Sequence, residues 1–283
     1  MLDEGHGGAL NLPEWCEVHL TVGLRSCLAV GPRRPPFPRT YVRWDGETRR
    51  SVGVSFAQQL AVSESLITRW NCAAQGRLHI AMAFPTHHPE TWKGTAAQLT
   101  ELTAQARATR ALSTKYGLLF TQNGHSRRSV PFANDVFDIL GPDVLLSHAT
   151  GMTDAEIAIV ARTGTKIVHN PSANAAIREH FRLTELLDAG ATVMLGSDGS
   201  APDRSYDMFR HMFMAMHYHR TYYRDTKVLP AHPCVGGKVS SLTLTWTPFS
   251  AFIRTTAHAG RPAHIGFGVS RLVHSDARIP RDA

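Results

Sequence analysis

Three histidines and one aspartate follow short apolar segments of the chain. His148 ends the segment VLLSHAT, His169 ends TKIVHNPS, Asp198 follows TVMLGSDGS, and His125 lies three residues after LLFTQ. A neutral imidazole can bind a metal or transfer a proton near neutral pH, and a carboxylate can do the same. A lone histidine at a strand end is often structural, with its polar atoms satisfied by the backbone. Such groups on successive strands instead indicate a site for acid–base or metal chemistry.

The segments that carry these residues alternate with helical segments, which predicts parallel strands with crossover helices. Each candidate strand is short and apolar, as expected of a strand buried on both faces. The sequence contains no G-x-G-x-x-G after a strand and no GxxxxGK[ST], which disfavours a doubly wound nucleotide-binding sheet. We therefore expect an α/β fold, an incomplete (β/α)8 barrel of about six βα units. The predicted strands are Leu24–Val30, Leu78–Phe84, Leu118–Gln122, Val144–His148, Lys166–His169 and Val193–Gly196.

Two of the predicted helices carry specific expectations. Thr153 and Glu156 have the spacing of a capping box, which predicts a helix that begins there and ends at Gly164. In the segment FRHMFMAMHYHR, methionines recur every four residues at 208, 212 and 216. This spacing places them on one helix face and predicts core packing for the methionines and their aromatic neighbours.

Composition limits the classes of function. The chain has 283 residues and a net charge of +7, but its basic residues are dispersed, so we expect no nucleic-acid partner. No apolar run approaches a membrane span, and the start lacks a secretory signal. Four distant cysteines are typical of reduced thiols, so we expect a cytoplasmic protein. Residues 1–230 are predicted to form the partial barrel, and residues 231–283, which lack glutamate and helical periodicity, an irregular and weakly ordered tail.

The stretch VLLSHATGMTDAEIAIVARTGTKIVHNPSAN, followed by LLDAGATVMLGSDGS, resembles the amidohydrolase superfamily. The similarity is greatest to its cytosine deaminase-like and chlorohydrolase-like branch. This resemblance implies a barrel with one divalent metal ion, zinc or else iron. It implies that Asp198 binds the metal and shuttles protons, and that His148 polarises the substrate. It also places His169 and Asn170 in the substrate pocket.

The chain departs from the family pattern at the metal site. No H-x-H pair precedes residue 78, and the family's H-x-x-E motif on the fifth barrel strand is missing. If Gln122 occupies the ligand position, His125 stands where the glutamate belongs; if His125 is the ligand, Arg128 does. We take His125 and Asp198 as the candidate metal ligands. The missing pair, together with AHPCVGGKVSSLTL after the barrel, suggests a gene fragment or a shifted reading frame.

The resemblance predicts a metal-dependent hydrolase that uses metal-activated water. Its substrate would be a cyclic or amide-like small molecule whose C–N or C–Cl bond is cleaved. The missing ligands keep open an alternative, a catalytically impaired relative that binds a small molecule or a partner without turnover. Family members often form homo-oligomers, and the sequence leaves that state open.

Overall fold

The computed structural model describes residues 12–23, 25–45, 47–177, 179–199 and 206–229. The prediction for residues 231–283 lies outside these ranges. The chain divides into two compact units, with the boundary between Ala83 and Phe84. Among the described residues, no helix has both the length and the apolar character needed to cross a membrane.

The first unit contains two parallel strands. Its elements are α1 (Leu12–Val22), β1 (Ser26–Val30), β2 (Arg39–Asp45), β3 (Thr48–Val54), α2 (Phe56–Trp70), the short turn α3 (Ala73–Gly76) and β4 (Leu78–Ala83). In the parallel pair β1–β4, Ser26 lies opposite Leu78 and Val30 opposite Met82. Every residue of β4 is buried, as its apolar sequence predicts.

The hairpin formed by β2 and β3 was not among the predicted elements. Its strands pair antiparallel from Arg39–Val54 to Asp45–Thr48. Four residues of β3 in succession, Thr48 to Ser51, are exposed. Because this strand is polar and solvated, it lacks the apolar signal by which the buried strands were recognised.

The described residues of the second unit include four parallel strands, each followed by a helix. Its elements are α4 (Ala96–Lys115), β5 (Phe120–Gln122), α5 (Ser129–Pro131) with a π-helical turn at Phe132–Val136, β6 (Val144–Ser147), α6 (Asp154–Thr163), β7 (Lys166–His169), α7 (Pro171–Ile177), α8 (Leu183–Asp188), β8 (Val193–Leu195) and α9 (Met208–Tyr223). The order β5-β6-β7-β8 follows the chain. The register pairs Ser147 with Val168 and His169 with Leu195. The polar residues at the ends of β6, β7 and β8 therefore share one edge of the sheet.

One buried side chain from each strand forms the core of this sheet. Phe120, Leu146, Ile167 and Val193 are all completely inaccessible to solvent. Burial of such a side chain contributes about 1.5–3 kcal/mol relative to exposure. The predicted capping box of α6 is confirmed, because Thr153 and Glu156 make both reciprocal hydrogen bonds.

Helix α9 is buried along a different face from the methionine face predicted from the sequence. His211, Ala215 and His219, spaced four residues apart, are its buried residues. Met212 and Phe213 are exposed by 45% and 62%. The prediction of a methionine core was therefore wrong. Hydrogen bonds to the preceding strand and helix decide the orientation, since His211 Nδ1 lies 3.0 Å from Ser172 Oγ.

Candidate functional site

His148 and Asp198 lie next to each other at the carboxyl edge of the four-stranded sheet. His148 Nε2 is 3.9 Å from Asp198 Oδ2, and the side chains are 2% and 16% exposed. This distance is too long for a hydrogen bond. It is short enough for one polar atom of a substrate, or one water molecule, to contact both groups. The structure thus brings together the two residues predicted to be catalytic.

The backbone at both residues adopts the left-handed conformation. The φ angles are 73° at His148, 47° at the next residue, Ala149, and 58° at Asp198. Non-glycine residues rarely adopt this region, and doing so costs about 1–3 kcal/mol per residue. The amide of His148 donates to the Val168 carbonyl at 3.0 Å, which fixes the histidine to the end of β7. Strain of this kind concentrates at functional sites.

His169 lies behind the surface of the site. Its ring is completely buried and stacks on Phe181 with centroids 4.1 Å apart. Its Nδ1 is 3.1 Å from the Asn174 amide nitrogen, and its Nε2 is 3.0 Å from His219 Nε2. Because both ring nitrogens are engaged, this geometry gives His169 a supporting position and does not support the direct substrate contact expected from the sequence.

Asn170 has a similar supporting position. It is 3% exposed, and its amide nitrogen donates to Ser147 Oγ at 2.8 Å. Gly196, at the end of β8, packs against this amide, since a Cβ on Gly196 would lie 2.2 Å from Asn170 Oδ1 and 2.8 Å from Val168 Cγ1. Gly196, which lies two residues before Asp198, therefore holds Asn170 in place by its close approach.

We expect Gly196→Ala to lower the free energy of unfolding by about 1–3 kcal/mol, because the new methyl group overlaps Asn170 and Val168. Urea denaturation followed by circular dichroism measures the change. Gly53→Ala is the matched control, since its added Cβ would lie 3.7 Å from Pro38, an ordinary contact. Equal effects of the two substitutions would contradict the close approach.

A hydrogen-bonded chain occupies the end of β5. The Gln122 amide nitrogen donates to the Pro85 carbonyl at 3.2 Å, which leaves Gln122 Oε1 as an acceptor 3.2 Å from His125 Nε2. His125 Nδ1 lies 2.8 Å from Ser129 Oγ, and the Ser129 hydroxyl donates to the Ser126 carbonyl at 2.6 Å. Both ring nitrogens of His125 are thus engaged.

The environment of His125 keeps its imidazole neutral. Burial, together with the positive charge that His88 and His148 carry when protonated, lowers the pKa of His125 to about 3. His88 also approaches from the loop after β4, with its Nδ1 3.3 Å from Ser126 Oγ.

The described residues do not by themselves fit a divalent metal site. Within the described ranges no three histidine, cysteine, aspartate or glutamate side chains converge as a metal would require, whereas a zinc site uses three or four protein ligands. At the candidate site, His148 Nε2 and Asp198 Oδ2 are two ligand atoms 3.9 Å apart. His125 could join them only by giving up its hydrogen bond to Gln122 or to Ser129.

Two residues that support the site were not predicted from the sequence. Asn174 bridges His148 and His169 with its amide, and His219 contacts His169 from α9. The four-residue spacing of His211, Ala215 and His219 was a usable signal for the inward face of α9. No comparable signal distinguishes Asn174, because its role depends on residues that α7 and two strands bring together.

Part of the chain is similar in sequence to known proteins. Residues 97–233 match the model of the amidohydrolase family. The 5'-deoxyadenosine deaminase of Methanococcoides burtonii is 29% identical over 216 residues, which cover 74% of this chain and 45% of that protein. The 5-methylthioadenosine/S-adenosylhomocysteine deaminase of Thermococcus kodakarensis is 34% identical over 98 residues, which cover 34% of this chain and 23% of that protein. The chain thus spans less than half the length of these relatives.

An adenosine deaminase from Xanthomonas campestris, whose crystal structure contains bound zinc, has a similar fold. The TM-score is 0.59 at 18% identity, with 79% of this chain and 48% of that chain covered. At this identity the similarity concerns the fold alone, and it confirms the predicted incomplete (β/α)8 barrel. The match of residues 97–233 and the named relatives support the resemblance of the chain to the amidohydrolase superfamily.

Proposed function

We propose that this chain carries part of the active site of a hydrolase that removes an amino group from a purine nucleoside. Water attacks the ring carbon that bears the amino group, the C–N bond breaks, and ammonia leaves with a proton taken from the water. The observation that carries the proposal is the pair His148–Asp198, held 3.9 Å apart by a left-handed backbone at the carboxyl edge of the sheet.

The two groups have complementary roles in this reaction. The Asp198 carboxylate accepts a proton from the attacking water and delivers it to the leaving nitrogen. His148 contacts the same reacting group through Nε2 and holds it in line with the ring carbon. Asn170 and His169 position His148 from behind the pocket. The chemical class of the substrate comes from the relatives, which are named as deaminases of 5'-deoxyadenosine and 5-methylthioadenosine.

The proposal is tested by incubating the full chain with 5'-deoxyadenosine, 5-methylthioadenosine and a chlorinated triazine. We expect ammonia release from a nucleoside, detected by a coupled assay and by the change in purine absorbance. Chloride release from the triazine alone would replace the deaminase proposal with C–Cl hydrolysis.

The proposal includes one divalent metal ion, which the family resemblance implies. Zinc is favoured over iron. Among described residues Asp198 is its candidate ligand, and the role predicted for His125 requires a broken hydrogen bond. Metal analysis of the purified chain and of Asp198→Asn tests both statements. Because the described residues bring together fewer than three candidate ligands, we expect zinc below one equivalent in the chain and less still in the variant, whereas equal zinc in both would remove Asp198 as a ligand. The cytoplasmic location and the homo-oligomeric state stay predictions.

The alternative is a binding protein without turnover. It is favoured by Gln122, an amide at one of the two positions where the family resemblance allows a histidine ligand, and by the engaged nitrogens of His125. Thermal shifts with the same nucleosides but no ammonia, with and without added zinc, would identify this alternative.

A further inference from the structure

The side chain of Asn174 joins the two histidines that follow β6 and β7. Its Oδ1 lies 3.0 Å from His148 Nδ1, and its Nδ2 lies 3.1 Å from His169 Nδ1. All three residues are at most 1% exposed, so water does not compete for these contacts. The backbone N–H of Asn174 donates to the backbone carbonyl of Asn170 at 2.9 Å, which anchors the residue in the first turn of α7.

An amide has one accepting end and one donating end, and a neutral imidazole likewise has one nitrogen of each kind. Since Asn174 presents its oxygen to His148 and its nitrogen to His169, Nδ1 of His148 carries a proton and Nδ1 of His169 does not. The two histidines therefore hold opposite tautomers. A reversed amide would exchange both tautomers at once and would not uncouple them.

The coupling continues to α9. With Nδ1 unprotonated, His169 carries its proton on Nε2, which donates to His219 Nε2 at 3.0 Å. His219 then carries its own proton on Nδ1, an atom that is buried without a hydrogen-bond partner among the described residues. The chain of hydrogen bonds thus runs in one direction from His148 to a buried end on α9.

We propose that Asn174 is a positioning residue that sets the tautomer of His148, so that the Nε2 facing Asp198 presents a lone pair. His148 Nε2 and the Asp198 carboxylate are then two acceptors 3.9 Å apart. Two acceptors at this spacing select a group with two protons, such as the attacking water or the leaving amine. The catalytic consequence rests on the proposed function, whereas the tautomer rests on geometry alone.

A nearby donor opposes this arrangement. The Asn170 amide nitrogen is 3.5 Å from His148 Nδ1, although it donates at 2.8 Å to Ser147 Oγ. Without the acceptor of Asn174, the Asn170 amide and the Asp198 carboxylate would both draw the His148 proton to Nε2. This contrast makes two substitutions at position 174 distinguishable.

Long-range ¹H–¹⁵N spectra of the full chain with labelled histidine report each tautomer directly. In the unmodified protein we expect a proton on Nδ1 of His148 and on Nε2 of His169. Asn174→Asp keeps an acceptor toward His148 and changes only His169, whose proton moves to Nδ1. Asn174→Leu moves the His148 proton to Nε2. Asn123→Asp, at an exposed asparagine, is the control and leaves both tautomers unchanged.

Kinetics supply the second readout. We expect Asn174→Leu to lower kcat more than about tenfold with little change in KM, because it removes the acceptor from His148. Asn174→Asp keeps that acceptor, so its kcat should stay within a few-fold of the unmodified protein. Equal tautomers of His148 and His169 in the unmodified protein overturn the inference, and so does a proton on Nε2 of His148 with one on Nδ1 of His169, even if neither variant folds. The expected tautomers without ammonia release leave the inference standing and remove the proposed function.

Discussion

Replacement of Asp198 by asparagine is expected to lower kcat for ammonia release by about 10²–10⁴-fold with little change in KM, since an amide cannot accept the proton of the attacking water. The substitution retains the size of the side chain. Asparagine also tolerates the left-handed backbone, where φ at this position is 58°. We therefore expect no loss of thermal stability, which separates a chemical role from a structural one. Rate assays across nucleoside concentrations and thermal denaturation measure both quantities.

Asp138→Asn is the matched control for this experiment. Asp138 is exposed and has the same φ of 58°, so the two positions share residue type and backbone conformation and differ in surroundings. The control is expected to keep full activity. A comparable loss of kcat in both variants would show that the effect arises from the backbone and not from proton transfer at Asp198.

Acid is expected to unfold the second unit because its interior contains neutral histidines. Burial, followed by the positive charge on His180, lowers the pKa of His219 from 6.5 to about 3. Burial, together with charge on neighbouring histidines, also lowers the pKa of His169 well below its ordinary value. Below pH 6.5 the unfolded chain binds protons that the folded chain does not, so the free energy of unfolding falls as pH decreases.

The expected loss is about 1.4 kcal/mol per pH unit for each such histidine, and it runs from about pH 6.5 toward pH 3. Two histidines would thus remove about 4 kcal/mol between pH 6.5 and 5, a large share of a typical stability of about 5–15 kcal/mol. Urea denaturation at half-unit steps of pH measures the slope.

His219→Gln should reduce that slope by about 1.4 kcal/mol per pH unit, because glutamine can still bond to His169 but does not titrate. His217→Gln, at an exposed histidine of the same helix, should leave the slope unchanged. If the two variants show the same pH dependence, the buried histidines are not the source of acid sensitivity.

The buried strands of the fold were predictable because each consists of consecutive apolar residues. Val144–His148 was predicted and Val144–Ser147 is observed; Val193–Gly196 was predicted and Val193–Leu195 is observed. Parallel strands covered on both faces need apolar residues at every position, which makes them visible without tertiary information. The exposed hairpin β2–β3 lacks that requirement and was missed.

The candidate site was predictable in position and only partly in role. A strand-end rule located His148, His169 and Asp198, because the carboxyl ends of parallel strands share one edge. Whether a histidine faces the pocket or lies behind it depends on its neighbours. His169 is enclosed by Phe181 and by His219, which is 50 residues away in sequence, so its supporting position could not be read from local spacing.

The left-handed backbone at His148, Ala149 and Asp198 limits how related sequences can diverge. Glycine, asparagine and aspartate tolerate such φ angles, whereas branched side chains do not. At position 148 the backbone also tolerates histidine, which alone among these residues has an imidazole for proton chemistry. A lineage that places a branched side chain there must therefore reshape the loop after β6 as well.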